Sequence, residues 1–168
     1  MKYVIIGNSI AATACIEGIR CADKKGEITV ISAEDHPVYG RPLISYCLLG
    51  RVKRENMGYR PDDFYGKNDV SVYYGRTATK IDAAAKKVIL DNGKEIEYEK
   101  LLVATGSRPF VPPMQGLDGV KDKFSFMTMD DMLALEGALS PEKDVLVIGA
   151  GLIGLKCVEG ILHLAKSV

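Results

Sequence analysis

Residues 2–31 read KYVIIGNSIAATACIEGIRCADKKGEITVI, which is the pattern of a βαβ unit. Residues 2–6 form a short apolar run that stops at Gly7. From Ile10 onward, small and apolar residues recur at helical spacing, and a second run rich in β-branched side chains covers residues 27–32. A strand, a glycine turn, a helix and a second strand require a crossover between parallel strands.

The remaining pattern predicts a mixed α/β fold. The dipeptide Asn92-Gly93 is typical of a hairpin turn, because both residues tolerate positive φ angles. We therefore expect a Rossmann-like parallel sheet together with an antiparallel β-meander. The other predicted strands are 70–74, 77–81, 86–90, 95–98, 100–104 and 144–148, and the predicted helices are 42–49, 61–67 and 129–139.

Composition and charge argue against several classes of protein. Lys and Arg number 22 and Asp and Glu also number 22, so a nucleic-acid binder, which needs excess basic residues, is not expected. The longest apolar stretch, residues 145–155, is too short to span a bilayer, which takes roughly 18 residues, and the N-terminal residues lack the pattern of a signal peptide. We expect a cytoplasmic protein that binds no membrane.

The cysteines indicate packing rather than metal or redox chemistry. None of the four forms a C-x-x-C pair, and two histidines are too few to complete a zinc site, so no metal is predicted. In the cytoplasm we expect the thiols to be reduced and to act as small buried apolar groups. The four are Cys15, Cys21, Cys47 and Cys157.

An internal repeat indicates two mononucleotide-binding starts. Residues 6–19 match residues 148–161 with six identities in fourteen positions. In the second copy, residues 149–154 read GAGLIG, a complete G-x-G-x-x-G between a predicted strand and a predicted helix. Such glycines allow a tight turn, close approach of a pyrophosphate and close helix packing, so this turn predicts nucleotide binding.

The first turn is degenerate, with Ser9 and Ala12 where the second and third glycines would stand after Gly7. An ordinary strand-to-helix turn is the alternative. Glu34 favours nucleotide binding, because a carboxylate just past the second strand can accept hydrogen bonds from the ribose hydroxyls of an adenosine. Asp35 is the alternative acceptor.

The position that would match Glu34 in the second copy lies past residue 168, so we expect an incomplete second nucleotide site. The chain therefore resembles a fragment of a longer protein. The predicted domains are a nucleotide-binding part at 1–110, a connector with one helix at 111–143, and the start of a second nucleotide-binding domain at 144–168.

Five segments carry a family resemblance: YVIIG at 3–7, Glu34, YGRPLIS at 39–45, LVATGSRP at 102–109 and the glycine turn at 149–154. Together they resemble the FAD-dependent pyridine nucleotide-disulfide oxidoreductases. The most similar branch holds NADH:rubredoxin reductases, flavin subunits of nitrite reductases and NADH oxidases. Such proteins are usually more than twice as long as this chain.

The resemblance implies a set of cofactor-binding residues. The first turn would bind the FAD pyrophosphate, Glu34 would bind the adenosine ribose, and the second turn would bind NAD(P)H. For Arg41 and Arg108, the alternative to a cofactor contact is a solvated charge in a loop. The implied residues are Gly7, Asn8, Ser9, Ala11, Ala12, Glu34, Arg41, Pro42, Ala78, Ala104, Thr105, Gly106, Arg108, Gly149, Gly151 and Gly154.

Two departures from the family pattern bear on catalysis. The slot of the redox cysteine in thiol-dependent members holds Leu49, and Cys47 lies two residues earlier, so thiol chemistry is a rival of low rank. In several ferredoxin and rubredoxin reductases a lysine and a helix glutamate pair near the flavin. The corresponding residues here are Tyr46 and Lys156. Lys156 is the candidate catalytic residue, and a surface lysine is the alternative.

The resemblance therefore implies the N-terminal part of an NAD(P)H-dependent flavoprotein oxidoreductase. The intact enzyme would pass a hydride from NAD(P)H to FAD, and electrons then to a small redox protein or to oxygen. We expect the chain alone to show no turnover, and its last helix to favour self-association through its apolar stripe. The alternative is a non-catalytic nucleotide-binding module or a truncated product.

Overall fold

The computed structural model describes residues 1–168, which divide into two compact units. The first unit comprises residues 1–39 and 58–106, and the second comprises residues 40–57 and 107–168. The strands are β1 (Lys2–Ile6), β2 (Glu27–Ile31), β3 (Val70–Tyr73), β4 (Ala78–Asp82), β5 (Lys87–Leu90), β6 (Glu95–Glu97) and β7 (Lys100–Val103). The α-helices are α1 (Ile10–Ala22), α2 (Leu43–Leu48), α3 (Phe64–Lys67), α4 (Met129–Ala138) and α5 (Leu152–Ile161).

A four-stranded parallel sheet in the order β3-β2-β1-β7 forms the centre of the first unit. Side chains alternate across it, so that Ile5 and Val30 face α1 and pack with its buried Ile16. Val4 and Ile6 point to the opposite face. Because both faces are covered, the strands are continuously apolar, as is typical of parallel sheets.

The antiparallel sheet β4-β5-β6 covers that opposite face. Val88 and Leu90 of β5 are buried against Val4 and Ile6. The turn between β5 and β6 lies at the predicted place, and Gly93 has a φ of +79°, but Asn92 does not have the positive φ that the predicted hairpin turn requires at both residues. The predicted combination of a Rossmann-like parallel sheet and a β-meander is confirmed.

The strand predicted at residues 144–148 is not formed, which corrects the expected start of a second sheet. Asp144 makes one isolated bridge with Ser167, and Leu146 and Ile148 are 84% and 62% exposed. An apolar run becomes a strand only where another strand can satisfy its backbone N–H and C=O groups. No other strand lies in the second unit.

Helix α5 packs against α2 within the second unit. The buried residues of α5 are Cys157, Gly160 and Ile161. A Cβ atom on Gly160 would lie 3.3 Å from both the Leu48 Cβ and the Ser45 carbonyl oxygen, so glycine permits the close approach of the two helices. Part of the predicted apolar stripe is therefore covered, and self-association through the remainder stays a prediction.

Helix α4 begins with a capping box. The Thr128 hydroxyl accepts from the Asp131 N–H at 3.0 Å, and the Asp131 carboxylate accepts from the N–H groups of Thr128 and Met127 at 2.9 and 3.0 Å. The Ser125 hydroxyl also donates to this carboxylate at 2.8 Å. Burial raises the pKa of Asp131, but these hydrogen bonds outweigh it and hold the pKa below its ordinary value.

Asp131→Asn should make the free energy of unfolding depend less on pH in acid. A lowered folded-state pKa stabilises the fold above the ordinary pKa near 3.8, and this contribution disappears as the pH falls through the lower folded value. We expect a loss of about 1 kcal/mol at pH 7 and a shallower pH dependence of the unfolding free energy below pH 4. Urea titrations between pH 2.5 and 7 measure both. Parallel curves for the variant and the parent would contradict this assignment.

No helix has both the length and the apolar character needed to cross a bilayer.

Candidate functional site: a glycine turn at the carboxyl edge of the sheet

The turn at residues 7–12 lies where the carboxyl ends of β1, β2 and β7 meet. The Gly7 N–H donates to the Ile31 carbonyl at 2.8 Å, and the Ala104 N–H donates to the Ile6 carbonyl at 2.8 Å. These bonds bring the first glycine turn beside the ends of both neighbouring strands. Ligands of open α/β sheets bind at this edge.

Gly7 is the residue at this edge that admits no side chain. Its φ is +109°, and a Cβ atom would lie 2.1 Å from the Ala104 carbonyl oxygen and 2.7 Å from its carbon. Both atoms belong to the backbone, so neither can rotate away. The predicted role of Gly7 in a tight turn is consistent with this geometry.

The N-terminus of α1 faces this edge with its amides uncapped by side chains. Ser9 is the N-cap in extended conformation, its hydroxyl makes no capping bond, and the first turn holds no acidic residue. Ala11 is exposed and Ala12 is fully buried in the core. The first-turn N–H groups and the helix dipole of a 13-residue helix therefore suit an anion such as a phosphate.

The side chain of Asn8 is held by the protein itself. Its Oδ1 atom accepts from the Tyr65 hydroxyl at 2.7 Å, and its Nδ2 atom donates to the His36 carbonyl at 3.4 Å. Burial raises the pKa of Tyr65, and burial together with Tyr65 and Asp35 raises the pKa of Tyr74 to about 12. Asn8 therefore offers its backbone, rather than its amide group, to a ligand.

Glu34 lies in the irregular segment that follows β2. It is half-buried, and the Tyr39 hydroxyl donates a hydrogen bond to its Oε2 atom. The neighbouring Asp35 is exposed. The Arg76 N–H donates to the Ser32 carbonyl at 2.8 Å, so the segment leading into β4 runs beside the one that carries Glu34.

The other predicted contacts of the first unit continue along the same edge. Ala78 is half-buried at the first position of β4, where the register between β4 and β5 is irregular. Ala104 is half-buried, and the following Thr105 and Gly106 are exposed, with a φ of +69° at Gly106. The first unit thus holds ten of the predicted cofactor-binding residues, of which eight lie in the turns at 7–12 and 104–106.

Arg41, Pro42 and Arg108 belong to the second unit. The Arg41 guanidinium donates to the Met127 carbonyl at 3.4 Å, and Pro42 is the N-cap of α2. Arg108 is exposed in the irregular segment after β7. Contacts of these three residues with a cofactor stay predictions.

The second glycine turn also has a geometry that only glycine permits. Gly149 has a φ of +119°, and a Cβ atom on Gly154 would lie 1.9 Å from the Gly149 carbonyl oxygen. Gly151 is the N-cap of α5, where no side chain caps the helix and no acidic residue occupies the first turn. This turn therefore resembles the first in presenting uncapped helix amides.

Lys156 and Tyr46 contact each other within the second unit. The Lys156 Nζ atom lies 3.5 Å from the Tyr46 hydroxyl oxygen and 4.8 Å from the ring centroid. It also donates to the Glu159 carboxylate at 2.5 Å. The hydrogen bond to Glu159 is the main reason that the pKa of Lys156 is raised, so this lysine is a fixed cation.

The sequence does not identify the two tyrosines that donate hydrogen bonds to the predicted site residues Glu34 and Asn8. Tyr39 contacts Glu34, and Tyr65 contacts Asn8 across 57 positions of sequence. Both tyrosines lie outside the strands and outside any regular apolar pattern, Tyr39 in an irregular segment and Tyr65 in the four-residue helix α3. No signal in the sequence pairs either with its partner.

Comparison with known proteins shows which family this chain matches. The family model described as "Pyridine nucleotide-disulphide oxidoreductase" matches residues 1–168. A relative from Aromatoleum evansii, NADH-dependent phenylglyoxylate dehydrogenase subunit epsilon, is 37% identical over 168 residues, which cover 99% of this chain and 39% of the relative. The chain thus spans well under half the length of this relative.

Two solved structures share the fold over nearly the whole chain. A ferredoxin reductase from Rhodopseudomonas palustris matches with a TM-score of 0.84 and 27% identity, covering 99% of this chain and 41% of that one. NADH:rubredoxin oxidoreductase from Clostridium acetobutylicum matches with a TM-score of 0.80 and 26% identity, covering 98% of this chain and 43% of that one.

Proposed function

Because the chain belongs to the pyridine nucleotide-disulphide oxidoreductase family, we propose that its first unit binds FAD as part of an NAD(P)H-dependent flavoprotein oxidoreductase. One observation carries the proposal. The glycine turn, the uncapped helix α1 and the Glu34 carboxylate lie at one edge of a parallel sheet, where dinucleotides bind in this class of fold.

The residues at this edge fit a dinucleotide. The tight turn at Gly7 brings the N-terminus of α1 to this edge, and the first-turn amides of α1 can donate to the oxygens of a pyrophosphate. Glu34 could accept from the hydroxyls of the adenosine ribose, and the backbone of Ala78, at the first position of β4, would face the adenine edge. The turn at 104–106 lines the path of the same ligand beside Gly7.

FAD, when bound, supplies the hydride and electron transfer, and the chain supplies binding and orientation. In the intact enzyme we propose that NAD(P)H is the hydride donor, held by the turn at residues 149–154. The acceptor would be a small redox protein or oxygen. Two similar structures are reductases named for ferredoxin and rubredoxin, which supports the first acceptor class. Lys156 stays the candidate catalytic residue, and the cytoplasmic location stays a prediction.

A second candidate function is a nucleotide-binding module without turnover. Residues 144–148 form no strand, so the second glycine turn lacks the sheet edge against which a nicotinamide nucleotide is normally held. Saturable NADH oxidation by the FAD-loaded 168-residue chain would exclude this candidate.

Glu34→Ala should weaken FAD binding about 5- to 150-fold, since a loss of charged hydrogen bonds is worth about 1–3 kcal/mol. Quenching of flavin fluorescence on titration gives the dissociation constant. Asp35→Ala is the matched control, because it removes the adjacent, exposed carboxylate. If Asp35→Ala weakens binding and Glu34→Ala does not, the ribose acceptor is Asp35. Equal affinity of the parent for FMN and FAD would contradict an adenosine site.

A further inference from the structure

We propose that Tyr39 is a positioning residue that holds the Glu34 carboxylate ready for the two hydroxyls of an adenosine ribose. The inference rests on the proposed function and deepens it. It names a residue that makes the site select nucleotides with an intact ribose diol over nucleotides that lack it.

The position of the Tyr39 hydroxyl is restricted by contacts of the Tyr39 backbone and ring. Tyr39 is 8% exposed, and it forms a bridge with Gly58, beside which the Tyr59 N–H donates to the Val38 carbonyl at 3.0 Å. The His36 ring packs edge-on against the Tyr39 ring, with 6.5 Å between centroids. A buried ring held on its backbone and on one face presents its hydroxyl at a constant place.

The backbone of Glu34 is fixed as well. The Ser32 hydroxyl, itself 2% exposed, donates to the Glu34 carbonyl at 2.7 Å. The Gly75 N–H donates to the same carbonyl at 3.4 Å. With its main chain anchored, the remaining freedom of Glu34 lies in its side-chain torsions, and the Tyr39 hydroxyl bond to Oε2 restricts these.

This arrangement is compatible with ribose recognition. A carboxylate offers about four lone-pair positions on its two oxygens, so one bond from a tyrosine is consistent with acceptance from a ribose diol. A phenol donating to a carboxylate is a strong, charge-assisted bond, which orders the acceptor before the ligand arrives. Preorganisation of this kind raises affinity by reducing the entropy lost on binding.

Tyr39→Phe in the 168-residue chain separates this role from simple packing, because the ring is kept and only the hydroxyl is lost. The probes are ADP and 2′,3′-dideoxy-ADP, measured by isothermal titration calorimetry. We expect Tyr39→Phe to weaken ADP binding about fivefold to tenfold and to change dideoxy-ADP binding less than twofold. A purely structural effect would weaken both nucleotides equally, which would overturn the proposal.

Tyr3→Phe is the matched control. The Tyr3 hydroxyl also donates to a carboxylate, that of Asp23 at 3.2 Å, but it lies at the start of β1, at the opposite edge of the sheet. We expect this variant to bind both nucleotides as the parent does. If Tyr3→Phe lowers the affinity for ADP as much as Tyr39→Phe does, the effect is not specific to Glu34 and the proposal is overturned.

A double-mutant cycle tests the route through Glu34 without relying on one variant. In a Glu34→Gln background, Tyr39→Phe should change the ADP affinity less than twofold. An undiminished effect in that background would show that Tyr39 acts elsewhere.

If the parent chain binds neither ADP nor FAD, the proposed function fails, and the role of Tyr39 fails with it. If the parent binds ADP and Tyr39→Phe leaves the ADP affinity unchanged, only the proposed role of Tyr39 fails.

Discussion

Gly7→Ala is expected to abolish measurable FAD binding and to lower the free energy of unfolding by about 2–4 kcal/mol. The added Cβ would meet the Ala104 carbonyl oxygen at 2.1 Å, and the φ of +109° is one that side-chain-bearing residues rarely adopt. Backbone strain and overpacking each cost about 1–3 kcal/mol. The clash also moves the ends of β1 and β7 apart, at the place where the pyrophosphate would approach.

Gly18→Ala is the matched control for this substitution. Gly18 lies inside α1, is exposed and would place its Cβ in open space, so alanine there should stabilise the chain by about 0.5–1 kcal/mol. Urea unfolding gives the stability, and flavin fluorescence gives the affinity for FAD. A Gly7→Ala chain that keeps both the stability and the affinity of the parent would show that the turn tolerates a side chain.

The first βαβ unit could be predicted from local pattern because each of its elements has its own period. Helix α1 (Ile10–Ala22) begins at the predicted Ile10, and β1 is found at the predicted residues Lys2–Ile6. The place of the turn in the meander was equally accessible from Asn92-Gly93, although only Gly93 adopts a positive φ there. In each case the information lies within a few residues of the element that it specifies.

Two kinds of feature could not be predicted, for different reasons. The apolar run at 144–148 has the composition of a strand, but pairing requires a second strand that composition does not reveal. The contacts of Glu34 with Tyr39 and of Asn8 with Tyr65 depend on loop geometry, which has no period. Sequence therefore predicted a set of nucleotide-binding residues, and the fold alone revealed the tyrosines that are hydrogen-bonded to two of them.

The contact between Lys156 and Tyr46 combines a feature seen in the sequence with one seen only in the fold. The sequence predicts an exchange of residue types at two family positions, and the structure brings those positions within 3.5 Å of each other across 110 residues. Glu159 completes the cluster with its bond to the ammonium. The contact orients the lysine on α5 relative to α2.

Gly154→Val is expected to open the second glycine turn and expose helix α5. Its Cβ would lie 1.9 Å from the Gly149 carbonyl oxygen and 3.0 Å from the carbonyl carbon, so either the turn or the helix must move. Cys157 of helix α5 is buried, and burial raises the pKa of its thiol. Displacement of the helix should therefore make Cys157 more reactive.

We expect Cys157 in the Gly154→Val chain to react with a disulfide reagent at least tenfold faster than in the parent, since about 1.4 kcal/mol of lost local stability gives a factor of ten. Peptide mapping by mass spectrometry separates Cys157 from Cys21, which is exposed in the parent. Gly151→Ala is the matched control, because a Cβ there meets no atom within 4 Å and the φ is not positive. An unchanged rate at Cys157 in Gly154→Val would mean that the turn does not hold α5 in place.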